Sequence, residues 1–281
     1  PNTAATDPAN AHWAQVAAGA GHTLALTTDG QLYAWGANTD GQLGLNSFTR
    51  RLQPTLVPLP AEAAGTRWAQ VAAGTSHTLA LTADGRLYSW GHNVFGQLGD
   101  GAGFTRPQAA AAVVLPAGAA AITRIVAGNA HSLALTADGQ LYAWGSNADG
   151  QLGNNDLEPQ RRPVAVALPR KSQGSRWAQI AAGSSHTVAL CADGQLYGWG
   201  CNKAGQLARM SGASLCRPVA MALPAKAEPG AWAHIGAGKA HSLAVTTDGR
   251  RYTWGSLDGK QLGSRPSGQP TESTVSASAA R

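Results

Sequence analysis

The chain has 281 residues, is 43% hydrophobic and only 13% charged, and contains 35 glycines with a net charge of +6. That balance argues against a disordered or helical protein and for a turn-rich all-β one, and no apolar run approaches the ~18 residues that a membrane-spanning helix needs. The positive residues form no block, so the charge reads as solvated surface that permits, without requiring, acidic partners.

Residues 1–12 carry no periodicity and are expected to form a loose lead-in. From Trp13 a short strand is predicted, followed by His22-Thr-Leu-Ala-Leu-Thr, which alternates as a half-buried strand does. Asp29-Gly30 predicts a two-residue hairpin turn. Gln31 to Trp35 is the return strand, and a polar Gly-rich loop runs from Asn38 to Gly44. Pro54 to Leu59 then reads as an edge strand, where proline is tolerated. The whole pattern returns four more times. His22, His77, His131, His186 and His241 head the copies at spacings of 55, 54, 55 and 55, and Trp35, Trp90, Trp144, Trp199 and Trp254 follow at the same spacings.

A fixed period of this size marks a repeat architecture. The units are 13–67, 68–121, 122–176, 177–231 and 232–275, which leaves a tail at 276–281 and no room for a separate domain. Each unit reads as a four-stranded antiparallel meander. One such sheet cannot bury both faces alone, and radial stacking of four-stranded sheets is a β-propeller. The expected fold is therefore a single all-β propeller of about five blades. The fourth copy departs from the loop pattern at Gln206-Leu-Ala208, and the outer strand of the fifth (Glu272 to Ser276) is weak.

The repeated string, from Ala-Gly-x-x-His-Thr-Leu-Ala-Leu-Thr-x-Asp-Gly to Asn-x-x-Gly-Gln-Leu-Gly, resembles the regulator-of-chromosome-condensation repeat family over nearly the whole chain. The resemblance implies a propeller, most often of seven blades in that family. Its founding members exchange guanine nucleotide on a small nuclear GTPase and bind chromatin, with acidic side chains in the two positions before the repeat His. Here those pairs are Ala20-Gly21, Thr75-Ser76, Asn129-Ala130, Ser184-Ser185 and Lys239-Ala240, and none is acidic. A light-sensing plant branch carries Trp there, and none of these pairs contains Trp. A secreted bacterial branch inhibits β-lactamases through aromatic loop residues. On that likeness a bacterial-type member is expected, with an exported or periplasmic compartment favoured over a cytoplasmic one.

The aromatic and histidine residues of the repeat read as packing between blades. A metal ring of the five repeat histidines is set against a buried His that hydrogen-bonds backbone at a tight turn, and the latter is preferred. The Asp-Gly aspartates are turn formers. Cys201 and Cys216 flank one loop; a local disulfide and unpaired thiols are equally compatible with the spacing. No catalytic constellation, metal or cofactor is expected, so what remains is loop chemistry. Phe48, Phe95 and Phe104 lie in the loops of the first two units, near Arg50, Arg51 and Arg106, with Arg161 and Arg162 in the third. Each Phe either tucks beneath its own loop or stands exposed beside Arg, which is the composition of an interface hot spot. The expected function is a non-enzymatic adaptor or inhibitor that binds a protein partner through this face. Nucleotide exchange on a small GTPase is the alternative, and nucleic-acid binding through basic loops ranks last. Oligomeric state stays open.

Overall fold

The computed structural model describes residues 11–209, 212–221, 232–256 and 271–273. It contains five four-stranded antiparallel sheets, each in sequence order. The first holds β1 (Trp13–Ala18), β2 (His22–Thr27), β3 (Leu32–Gly36) and β4 (Arg51–Val57). The second holds β5 (Trp68–Ala73), β6 (His77–Thr82), β7 (Leu87–Gly91) and β8 (Arg106–Ala112), and the third β9 (Ile122–Ala127), β10 (His131–Thr136), β11 (Leu141–Gly145) and β12 (Gln160–Ala165). The fourth holds β13 (Trp177–Ala182), β14 (His186–Cys191), β15 (Leu196–Gly200) and β16 (Leu215–Ala220), and the fifth β17 (Trp232–Ala237), β18 (His241–Thr246), β19 (Arg251–Gly255) and β20 (Thr271–Ser273). This is the propeller-type blade arrangement expected from the repeat. The weak outer strand of the fifth copy is found at Thr271–Ser273, while most of the lead-in, the loop at 259–263 and the tail at 276–281 lie outside the described residues.

The chain folds as two compact units, Pro1–Ala148 with Leu157–Val166, and Asp149–Asp156 with Ala167–Arg281. The first unit contains sheets one to three, the second sheets four and five. In the first, Leu24, Leu26, Leu32 and Leu43 of one sheet are sealed against Trp68, Val71, Tyr88 and Trp90 of the next. In the second, Val188, Leu190, Leu196 and Met221 pack against Trp232, Tyr252 and Trp254 in the same way.

Two local expectations are corrected. The second strand of each copy was expected to be half-buried, yet β6, β10 and β14 are buried at every residue. In β6 the alternation in His-Thr-Leu-Ala-Leu-Thr sorts large from small side chains, because sheet one packs on one face and sheet three on the other. The Asp-Gly hairpin is also longer than two residues. Gly30 N–H donates to Thr27 C=O at 3.0 Å while Thr27 N–H reaches Gln31 C=O at 2.9 Å, so a three-residue loop ends on Gly30 at φ +83°. This is a type I turn closed by a left-handed glycine, and the preceding Thr27 hydroxyl donates to the Asp29 carboxylate. The same Thr–Asp bond recurs at Thr82, Thr136 and Thr246. Cys191 stands in that position in the fourth copy, where the Ser172 hydroxyl donates to Asp193 instead, at 2.6 Å.

Candidate protein-interaction face

The chain leaves each sheet at one end through two connections, the Gly-x-x-His turn and the long loop after the third strand. The His is structural. Its imidazole folds back over the Gly, so closely that a Cβ on Gly74 would lie 2.1 Å from His77 Cε1. Only glycine fits, which explains the motif. Nε2 of His22 then meets the Thr78 hydroxyl of the next sheet at 3.2 Å, and His77 meets Ser132 at 3.0 Å; in the second unit His186 meets Ser242 at 2.9 Å. The expected bond to backbone is thus a bond to a neighbouring hydroxyl. Burial pushes His22 and His186 down to about 4 and His77 to about 3, so these rings stay neutral. Among the described residues no group of three or more His, Cys, Asp or Glu is placed to hold a metal.

The Asn-x-x-Gly-Gln-Leu-Gly loop is a rigid platform built from its own polar side chains. Asn38 Oδ1 accepts the Leu43 amide at 2.9 Å, and its Nδ2 donates to Ser47 and Thr49 carbonyls at 2.7 and 3.0 Å. Gln42 Oε1 accepts the Asp40 amide at 2.9 Å. The Gln42 carbonyl takes two bonds from the next sheet, the Thr78 hydroxyl at 2.8 Å and the Trp90 indole at 3.0 Å. Gln97 repeats this with Ser132 and Trp144, and Gln151 with Thr187 and Trp199. These bonds pair the buried Gln carbonyls with the indoles of Trp90, Trp144 and Trp199, as burial favours.

The long loops also lean on the outer strand that follows. Asn46 N–H donates to Pro107 C=O at 2.8 Å, and Gly101 N–H to Arg161 C=O at 2.9 Å. At Gly96 (φ +80°) a Cβ would lie 2.6 Å from Arg161 Cα, and at Gly101 one would lie 2.6 Å from the Arg162 guanidinium. All eight candidate residues fall in the first unit, and these contacts draw the loops of sheets one and two and the outer strand of sheet three together. Phe48, Phe95 and Phe104 are exposed at 56%, 44% and 59%, so none tucks beneath its loop. Arg106 is held inside the platform: it pairs with Asp100 and covers the Phe104 ring at 4.7 Å. Burial raises the Asp100 carboxyl, but hydrogen bonds from the Ala102 amide and Arg106 outweigh it and hold the group below its ordinary value. Arg50, Arg161 and Arg162 are exposed, and Arg51 is half-buried.

Sequence reasoning missed Leu52, Val94 and Leu157, which are exposed at 82%, 57% and 53% at the same end of the first unit. A signal existed for Val94: the two variable positions of Asn-x-x-Gly are Thr-Asp, Ala-Asp and Lys-Ala in copies one, three and four but Val-Phe in copy two. Cys191, Cys201 and Cys216 are all free, so the Cys201–Cys216 pairing is absent. No helix among the described residues is long and apolar enough to cross a membrane.

With this geometry in place, the chain can be set beside known proteins. It is 37% identical over 252 residues to the ultraviolet-B receptor UVR8 of Arabidopsis thaliana, covering 89% of this chain and 54% of that one, so it spans about half the receptor's length. Human WBSCR16 superposes with a TM-score of 0.82 at 25% identity, over 94% of this chain and 67% of that one. Prp20p of Saccharomyces cerevisiae, solved with its binding to Gsp1p and histones characterised, gives a TM-score of 0.74 at 26% identity, over 94% and 64%. The same yeast protein has been solved bound to Kap60. These relatives overturn the exported or periplasmic placement: plant and yeast cells have no periplasm of the bacterial kind, and a histone-binding protein works where histones are. Nor do these plant, human and yeast relatives support a bacterial origin. Residues 1–280 match the RCC1-like domain, and the chain belongs to that family.

Proposed function

We propose that this chain is a protein-interaction domain that performs no chemistry of its own and presents the loop face of its first unit to a folded protein partner. The observation that carries the reading is the exposure of Phe48, Phe95 and Phe104 on loops whose backbones are pinned by buried Asn and Gln side chains. Rigid exposed aromatics lose little entropy on binding, and Arg50, Arg161 and Arg162 beside them supply planar, bidentate donors for carboxylates. The light-sensing role of UVR8 is not part of this reading, since none of the pairs before the repeat His contains Trp.

A second reading is exchange of guanine nucleotide on a small GTPase. The likeness to Prp20p, characterised with Gsp1p and histones, favours it over an adaptor or inhibitor role. Against it stand the five non-acidic pairs before the repeat His. One experiment addresses both. Wild type and the Phe48→Ala/Phe95→Ala/Phe104→Ala variant are titrated against a panel of small GTPases and core histones, with nucleotide release followed in parallel. Binding that the variant loses supports the loop face. Accelerated release selects exchange; binding without release selects a docking role. Equal affinity of wild type and variant for the same partner removes the face from consideration, and affinity for nucleic acid that falls steeply with salt would revive that alternative.

A further inference from the structure

Copies two and three each depart from the repeat at a pair of positions, and the two pairs face each other. Counting from Gly44, Gly99 and Gly153, which close their loops, the second and fourth residues are Asn46 and Phe48 in copy one and Asn155 and Leu157 in copy three, but Gly101 and Gly103 in copy two. On the outer strands, Arg51, Arg106, Gln160 and Leu215 all pair with the last glycine of the third strand. The two residues after them are Leu-Gln, Pro-Gln, Arg161-Arg162 and Cys-Arg, so of these four copies only the third has paired arginines. The backbone is the same throughout: Asn46, Gly101 and Asn155 donate to the carbonyls of Pro107, Arg161 and Cys216 at 2.8, 2.9 and 2.8 Å. What changes is that the arginines fill the space the glycines leave. A Cβ on Gly101 would lie 2.6, 2.8 and 2.9 Å from Nη2, Cζ and Nε of Arg162, and one on Gly103 would lie 2.9, 3.0 and 3.0 Å from Cζ, Nη1 and Nη2 of Arg161. Near-equal distances to three atoms of a planar group place each glycine against the face of a guanidinium, so the N–H edge is not turned into the loop. Both side chains are exposed. Neither forms an ion pair among the described residues, whereas Arg106, which covers Phe104, is neutralised by Asp100.

We propose that Arg161 and Arg162 form a site for a phosphate monoester, carried as phosphoserine or phosphothreonine on a segment of the partner whose apolar side chains rest on Phe95 and Phe104. This rests on the loop-face reading above and names what that face recognises. Position supports the pairing of phosphate with apolar contact. Arg161 Cγ would lie 2.7 Å from a Cβ on Gly96, and its Cζ is against Gly103; Gly96 follows Phe95 and Gly103 precedes Phe104, both exposed. The side chain therefore runs from the backbone next to one ring to the backbone next to the other. Charge selects the anion. Two guanidinia seated on glycines two residues apart, with no acid paired to either, repel each other, and one carboxylate cancels half of the excess. A phosphate monoester brings about −1.5 to −2 charges at neutral pH, and its terminal oxygens can accept from both planar forks. A phosphodiester of nucleic acid brings one charge per phosphate and fits the pair less well.

Two degenerate peptide libraries test this on the full chain, one with a central phosphoserine or phosphothreonine and one with the same residues unmodified. Each is passed over the immobilised protein, and recovered sequences are titrated by fluorescence anisotropy. The phosphorylated peptide is expected to bind about a hundred-fold tighter than its unmodified form, through hydrogen bonds to charged groups. Arg161→Ala/Arg162→Ala is expected to abolish that difference. Arg161→Lys/Arg162→Lys, which keeps the charge and loses the forks, should reduce it about ten-fold. Gly103 lies outside the left-handed region and would meet only the end of a flexible side chain, so Gly103→Ala should leave the melting temperature unchanged while it displaces Arg161 and weakens binding. Arg217→Ala, at the Arg162 position of copy four, is expected to behave as wild type. Equal recovery of the two libraries, a phosphate preference that survives loss of both arginines, or a single-stranded DNA oligonucleotide that competes as well as the phosphopeptide would each overturn the site. The loop-face reading fails separately. A protein partner lost by the triple Phe variant but kept by Arg161→Ala/Arg162→Ala leaves the face standing and removes the phosphate site. Phosphopeptide binding that needs the arginines, with the partner kept by the triple Phe variant, supports the site and removes the aromatic face.

Discussion

Ala208 holds a conformation that three other copies reserve for glycine, and replacing it should stabilise the protein. Gly44, Gly99 and Gly153 close their loops at φ +70°, +72° and +72°, and a Cβ there would lie 2.6 to 2.7 Å from the indole nitrogen of Trp90, Trp144 or Trp199. Those three indoles donate to a Gln carbonyl at 2.9 to 3.0 Å. In the fourth copy Ala208 sits at φ +53° and brings the methyl that the others omit. Ser242 still donates to Gln206 C=O at 2.9 Å, but Trp254 Nε1 is buried with no hydrogen-bond partner. Ala208 and Trp254 share one core cluster, and we attribute the lost bond to the methyl. Ala208→Gly relieves about 1–2 kcal/mol of left-handed strain. It also allows a hydrogen bond with a net value of about 1 kcal/mol, against about 0.5–1 kcal/mol of extra unfolded-state freedom for glycine. The net expectation is about 1–2 kcal/mol of added stability, or a rise of roughly 2–4 °C in Tm for each kcal/mol. Thermal unfolding followed by Trp emission measures it. The reciprocal change, Gly153→Ala, should cost about 3 kcal/mol by adding the strain and breaking the Trp199 bond. A neutral or destabilising Ala208→Gly would refute the steric account.

Acid should weaken the fold in two separate windows. His22, His77 and His186 have folded-state pKa values near 4, 3 and 4, below the unfolded value of 6.5, so their contribution is complete above that value and declines as pH falls towards the folded values. Each loses about 1.4 kcal/mol per pH unit within the window, so the three together should lose about 4 kcal/mol between pH ~7.5 and ~5.5, and a Tm that is flat over that range would contradict it. Asp84, Asp138 and Asp248 are held below their ordinary value by Thr hydroxyls, so their contribution is lost only at lower pH, below the ordinary carboxylate value. Replacing Gly74 by Ala should cost about 3 kcal/mol or prevent folding, because the methyl would overlap the His77 ring; a wild-type melting curve would show that the imidazole can move aside. Burial pushes the Cys191 thiol up to about 12, so a thiol reagent should label Cys201 and Cys216 readily and Cys191 only on unfolding. Rapid reaction of all three cysteines in the native protein would mean that the fourth sheet opens.

Much of this protein was legible in its repeat. Side chains recurring every 54 or 55 residues have to serve the same local structure, so strand order, the positions of the hairpins and the Asn-x-x-Gly-Gln-Leu-Gly loop followed from sequence alone, while the length of the Asp-Gly loop did not. Residue types at Gly-x-x-His were readable as structural for the same reason. What the imidazole touches was not, because its partner is a hydroxyl 55 or 56 residues away on another sheet. The burial of both faces of β6 likewise needed sheets one and three to be in place. Exposure was the largest gap. Phe48, Phe95 and Phe104 could stand out or tuck under on sequence grounds, and only loops held by buried amides and propped on the next outer strand decided that they face water. Val16 and Val71 occupy the same position in near-identical strings, Trp-Ala-Gln-Val-Ala-Ala-Gly, yet one is exposed at 63% and the other at 2%. Local sequence determines a strand and the side chains it offers. Whether another sheet covers them is a property of the stacked array, and no residue within the strand encodes it.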